Sequence, residues 1–265
     1  MARACCCLEA LDAEEEQEPL LGKVEASDVA LVTPPHIGYR QVLAAGAQKA
    51  KVRLTKSVPL GILAGIFIGF GCYLMVSVGA NCPDIKEKNP GLYKMILGAF
   101  GLPFGLMLVV VTGADLFTSN CATLTIAVLE GQAGLSQLAQ SWVVSYLSNF
   151  VGSMLIVGIV IAGDTLGAGA ETAASLAQPK CELSFGNAFA RAILANYLVC
   201  LAVYMATFAR DLASKMVAIW FPISAFIAMG LVSLDKGFER AAHSIDRHTA
   251  RAHATNSDPH ARASR

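Results

Sequence analysis

The hydrophobic residues of this chain gather into long runs that contain no charged side chain. A membrane-spanning helix needs about 20 apolar residues in succession. Five runs reach or approach that length, at 57–83, 95–114, 131–163, 192–209 and 216–234. Charged residues bound each run at both ends. The pattern predicts an all-α membrane protein with five spans.

The segments outside these runs have a different composition. Ile37 and Val42 are interspersed with Arg40 and Lys49, which is typical of an interfacial helix. Further basic residues before the first run place this end in the cytosol. We therefore expect four parts: a disordered cytosolic tail (1–33), an interfacial amphipathic helix (34–56), a membrane domain (57–234) and a polar, disordered or loosely helical tail (235–265).

The overall composition supports a membrane protein and argues against other classes. Of 265 residues, 55% are hydrophobic and only 15% are charged, against about 25% charged in an average soluble domain. The sequence offers no basic face for nucleic acid and no pattern typical of a metal or cofactor site. An intramembrane enzyme would need paired catalytic groups at depth, and Asp115 alone does not supply them. We therefore expect neither enzymatic activity nor a cofactor.

Glycines and loop cysteines are the candidates for structural contacts. Gly61, Gly65 and Gly69 repeat at four-residue spacing, which puts a smooth groove on one face of the first span. That groove could pack against another subunit or repeat, or against a helix of the same chain. Cys82 and Cys181 fall in polar loops predicted to lie on the outer side. They are either a disulfide pair or two unrelated thiols.

Polar residues interrupt the apolar sequence at 113–120. Irregular backbone at membrane depth is tolerated only where it is buried in protein or lines a cavity. Broken helices of this kind direct their half-helix N-termini at an ion or substrate site. The alternative is an ordinary loop at the bilayer surface.

Two motifs resemble a known family. Gly113-Ala114-Asp115-Leu116-Phe117-Thr118 is similar to one signature of the formate/nitrite transporters, and Asn196-Tyr197-Leu198-Val199-Cys200-Leu201-Ala202-Val203 resembles the second, in the same order. The segments 34–50 and 221–226 also look like family segments. The resemblance implies an aquaporin-like helical bundle with broken helices, built from two inverted repeats and assembled as a homopentamer with one pore per protomer.

The resemblance also assigns residues to the pore. Phe117 and Thr118 match a mobile loop that interrupts the second span and borders the pore, and Ser119 and Asn120 continue the same segment. We therefore expect these four residues to line the conduit.

Further pore positions are implied on other spans. Leu106 and Phe226 match apolar constriction positions, and Lys180 precedes Asn196 at the family's interval between a vestibular lysine and a pore asparagine. The alternative for Lys180 is an exposed loop lysine. Together these positions imply transport of formate, nitrite or a related monocarboxylate across the lipid bilayer, by proton-coupled or neutral-acid permeation. The expected membrane is the plasma membrane, with vacuolar or other endomembranes as the alternative.

The C-terminal sequence departs from the family pattern. After Gly230 the family continues with Phe-Glu-His-Ser, which carries the central pore histidine, whereas this chain has Leu231-Val232-Ser233. Only five of the expected six spans are recognisable. The alternative interpretation is therefore a transport-inactive truncated isoform or gene-model product that lacks the histidine loop and the sixth helix.

Overall fold

The computed structural model describes residues 33–167, 169–181 and 183–230, without the side chains of 178–181. Both predicted tails lie outside the described residues, apart from Thr33. The elements assigned within the described residues are helices: α1 (Pro35–Lys49), α2 (Leu54–Ala80), α3 (Pro83–Lys88), α4 (Pro90–Ala99), α5 (Leu102–Thr112), α6 (Phe117–Leu129), α7 (Leu135–Ala162), α8 (Gly169–Cys181), α9 (Phe185–Phe208) and α10 (Leu212–Ala228).

Four helical segments among the described residues are long and apolar enough to cross a membrane. These are α2, the combined segment α4–α5, α7 and α9. The fifth predicted span, 216–234, corresponds to α10, a shorter apolar helix of 17 residues. Its start is set by Asp211, whose side chain accepts a hydrogen bond from the Ser214 amide. Its end precedes Gly230, which has a left-handed φ of 70°. The predicted class, a helical membrane fold, is confirmed.

The glycine face of α2 packs against α7 of the same chain. A side chain at Gly65 would collide with the backbone carbonyl of Asn149, and one at Gly61 or Gly69 would collide with α7 side chains. On the opposite helix, a side chain at Gly152 would meet the backbone of α2. Because glycine lets two helix backbones touch, these positions bring α2 and α7 into close contact.

The second span is broken at two places. Its first break separates α4 from α5 at Phe100 and Gly101, where a side chain on Gly101 would meet Met75 of α2. The second break follows Gly113, whose left-handed φ of 73° ends α5 before the chain turns into α6. The sequence pattern predicts only the second break, because the residues around the first are apolar throughout.

Candidate functional site

The turn between α5 and α6 is held by a buried polar network centred on Asp115. Ser57 Oγ donates to Asp115 Oδ2 at 2.6 Å, and Asn120 Nδ2 donates to Asp115 Oδ1 at 2.8 Å. Lys49 Nζ, at the end of α1, donates to Asn120 Oδ1 at 2.7 Å and lies 3.4 Å from Asp115 Oδ1. Asn120 is 0% exposed and Asp115 8%. The carboxylate is therefore both charge-paired and hydrogen-bonded, as a buried charge requires.

The side-chain amide of Asn149, on α7, also holds the turn between α5 and α6. Asn149 Nδ2 donates to the backbone carbonyls of Gly61 and Asp115, each at 2.9 Å. Its Oδ1 accepts from the Phe117 amide at 2.9 Å. The Phe117 backbone N–H lies in the first turn of α6, where backbone donors have no partner within the helix, and Asn149 supplies one. Asn149 thus ties α2 and α7 to the first residue of α6.

The four residues predicted to line the conduit lie in the first turn of α6. Phe117, Thr118, Ser119 and Asn120 are helical, although the resemblance places Phe117 and Thr118 in a mobile loop. Asn120 faces the Asp115 network. The Phe117 ring packs edge-on against Trp142 and Tyr146 of α7. Their roles in permeation remain predictions.

Helix α9 packs against the start of α6, and four of the residues there are called the α6–α9 interface: Thr118, Cys121, Asn196 and Cys200. The thiol of Cys200 lies 3.5 Å from the Thr118 carbonyl oxygen, and Cys121 lies beside Asn196. The oxygen Oδ1 of Asn196 is buried and has no hydrogen-bond partner.

Ser119 Oγ, in the same turn of α6, is also buried without a partner. An unpartnered buried polar group costs about 1–3 kcal/mol, and each such group calls for an explanation. Both oxygens are free to accept a hydrogen bond.

The predicted constriction residues are both deeply buried. Leu106 on α5 is 2% exposed and Phe226 on α10 is 5% exposed. Both belong to the same hydrophobic cluster, together with Ile219 and Ile223 of α10. An apolar barrier at this position is therefore consistent with the packing, while its role stays a prediction.

Two other predictions fall on undescribed side chains. Lys180 and Cys181 belong to α8, but their side chains lie outside the described set. The vestibular role of Lys180 and the pairing of Cys181 with Cys82 therefore remain predictions.

The sequence did not identify three of the residues that hold the turn between α5 and α6. Lys49 was indistinguishable from the other basic residues before the first span, and Ser57 from an ordinary helix residue. Asn149 had a usable signal, because it is an amide within a charge-free span and such amides commonly bond across helices.

Comparison with known proteins assigns the family. A family model described as formate/nitrite transporter matches residues 37–232. The chain is 36% identical over 193 residues to an uncharacterised transporter of Bacillus subtilis, YrhG, with 70% of each chain covered. It is 38% identical over 200 residues to a probable formate transporter of Methanothermobacter thermautotrophicus, covering 69% of this chain and 72% of the relative.

A solved structure shares the fold. A pentameric formate channel with formate bound superposes with a TM-score of 0.62 at 30% identity, covering 71% of this chain and 74% of that one. The family match spans most of the described residues, and its fold agrees with the helical arrangement given above. This chain belongs to the formate/nitrite transporter family.

Proposed function

We propose that this protein conducts a small monovalent anion, with formate as the leading candidate and nitrite or a related monocarboxylate as close alternatives. The observation that carries the proposal is the buried, unpartnered Oδ1 of Asn196 at the α6–α9 interface. A similar solved structure is described as having formate bound. A family relative from Bacillus thuringiensis, 35% identical over 195 residues, is described as a formate channel.

Charge energetics favours permeation as the neutral acid. An ion at the centre of a bilayer costs at least about 2.5 kcal/mol, and more when no polar group compensates it. Leu106 and Phe226 belong to one apolar cluster and offer an anion no polar group from their side chains. Protonation removes the charge before the constriction, so net transport couples one proton to one anion. A cationic Lys180 in the vestibule would raise the local concentration of the anion.

Assembly and location follow the same reasoning. We propose a homopentamer within a lipid bilayer, because a similar solved structure is described as pentameric. Large apolar side chains on α9, including Phe185, Phe189 and Tyr197, are exposed in the single chain and suit contact with lipid or with another copy. The plasma membrane remains the expected location.

The test is uptake of labelled formate by proteoliposomes that contain the purified full chain. Uptake should saturate with formate concentration and rise as the external pH falls, because the protonated fraction increases. Sulfate, which one proton does not neutralise at these pH values, is the control substrate and should not enter. Uptake that does not change with pH would contradict neutral-acid permeation. No uptake by correctly folded protein would support the transport-inactive alternative.

A further inference from the structure

Two cysteines meet at the α6–α9 interface. Cys121 follows Thr118 by one helical turn on α6, and Cys200 follows Asn196 by one turn on α9. The thiol of Cys200 lies 3.5 Å from the Thr118 carbonyl oxygen, which is one turn before Cys121 on α6. Both side chains are half-buried. The Cys200 thiol therefore lies against the turn of α6 that carries Cys121.

The surroundings of this pair suit a neutral reagent. Cys121 lies beside Asn196, whose Oδ1 is buried without a partner. No acidic or basic side chain is among the four residues that define the interface. A small uncharged compound can enter such a site from the lipid or from the conduit, whereas a charged thiol reagent would pay the desolvation cost of an ion.

We propose that Cys121 and Cys200 form a dithiol site for trivalent arsenicals, and that its occupation closes the conduit. In the reaction an arsenic oxide, R–As=O, forms two As–S bonds with the two thiols. Both bonds to oxygen break, and the oxygen leaves with the two thiol protons as water. Arsenic remains trivalent, so the step needs no oxidant or reductant.

The location of the two cysteines explains why a bound arsenical would block transport. A bridge from Cys121 to Cys200 fixes α6 against α9 next to Asn196 and places the arsenical's organic group there. The closure rests on the proposed function, but the dithiol site itself does not. Labelling by the arsenical and uptake of formate are therefore measured separately.

The first measurement is the mass of the protein after exposure to phenylarsine oxide. The chain has eight cysteines, including a cluster at Cys5, Cys6 and Cys7 that would also react. The test background therefore has six cysteines replaced by serine or alanine, at positions 5–7, 72, 82 and 181. This variant should gain a single phenylarsenic group that survives mercaptoethanol and is removed by dimercaptopropanol, because two linked thiols compete far better than one.

The matched controls are Cys121→Ser and Cys200→Ser in the same background. Each retains one thiol and should lose the label completely in mercaptoethanol. Equal retention by a single-thiol variant, or no label on the two-thiol variant, would overturn the dithiol site.

The second measurement compares formate uptake before and after the reagent within each variant. The two-thiol variant should lose nearly all of its uptake, and the single-thiol variants should recover theirs after mercaptoethanol. A fully labelled two-thiol protein with undiminished uptake would overturn the claim that the site closes the conduit. If untreated protein shows no uptake, the proposed function fails, while the mass measurement still decides the dithiol site.

Discussion

The α2–α7 contact and the α6–α9 interface differ in how completely their groups are satisfied. Between α2 and α7, glycines bring the backbones together, and each polar atom of the Asn149 amide has a hydrogen-bond partner. At the α6–α9 interface, Asn196 Oδ1 is buried and unpartnered. The side-chain amide that ties α2 to α7 is therefore fully hydrogen-bonded. The side-chain amide at the α6–α9 interface has an oxygen that is free to accept a hydrogen bond.

The same difference appears between neighbours in the first turn of α6. Asn120 bonds to Asp115 and Lys49, whereas the hydroxyl of Ser119 has no partner. One helical turn therefore combines a residue that holds the break in place with a residue whose polar group is unused. The comparison teaches that neighbouring polar residues of one segment can differ in their contacts. Asn120 is part of the network that holds the turn, and a permeation role stays a prediction for Ser119.

The largest effect is expected from filling the α2–α7 contact. Gly65→Leu would drive its side chain into the Asn149 carbonyl and should destabilise the fold by about 3 kcal/mol or more, because backbone cannot move aside as a side chain can. Gly158→Leu is the control, since a side chain at Gly158 would meet nothing within 4 Å. Size-exclusion chromatography and thermal unfolding in detergent measure both. Equal behaviour of the two variants would show that α2 and α7 are not closely packed.

Removing the centre of the polar network should have the next largest effect. Asp115→Ala leaves Lys49, Ser57 and Asn120 without their shared acceptor and should lower the free energy of unfolding by about 3 kcal/mol. Asp84→Ala removes an exposed carboxylate from α3 and should change it by less than about 0.5 kcal/mol. Denaturant titration in mixed micelles tests the difference. Similar losses for both variants would contradict a structural network at Asp115.

A smaller difference in stability is expected between variants of Asn120 and Ser119, which are neighbours on α6. Asn120→Ala should cost about 2 kcal/mol, because it removes bonds to Asp115 and Lys49. Ser119→Ala removes a buried hydroxyl that has no partner, so it should not lower the stability and should remove the desolvation cost of that group. The two variants are compared by thermal unfolding under one set of conditions. A costly Ser119→Ala would mean that its hydroxyl is used in the resting fold.

The smallest effect on stability is expected at the C-terminal end of α6. Tyr39 of α1 donates a 2.6 Å hydrogen bond to Glu130, and burial together with this bond raises the pKa of Tyr39 to about 12. A raised pKa in the folded state means that this stabilisation is complete below pH 10 and is lost as pH rises towards 12. The free energy of unfolding should therefore decline over this range, and less so in Tyr39→Phe. An identical decline in both proteins would exclude the Tyr39 contribution.

The fold was predictable where one local pattern decides it. Charge-free runs identified the four span-length helical segments found among the described residues, and Gly113 marked the break before α6. The break at Phe100 and Gly101 left no trace in hydropathy, because the residues around it are apolar throughout. The sequence could not show that α10 ends at Ala228, since the run of apolar residues continues beyond it.

The site was predictable only in part, because its contacts join distant positions. The second motif named Asn196 through a family resemblance, and Asn120 was expected in the pore because it continues the segment of the first motif. The partners of Asn120 and Asn149 could not be found in this way: Lys49 lies 71 residues from Asn120, and Gly61 lies 88 residues from Asn149. Which polar groups are satisfied is decided by these long-range contacts. The division between hydrogen-bonded and unpartnered polar residues therefore required coordinates.

The most direct test of that division is formate uptake by Asn196→Leu in proteoliposomes. Leucine keeps a similar size but has no polar atom, so the variant should fold with nearly unchanged thermal stability. The account predicts that uptake falls to the level of empty liposomes, because the unpartnered amide oxygen is the group that contacts the permeating acid. Uptake at the rate of the unmodified protein, by a correctly folded Asn196→Leu variant, would contradict it.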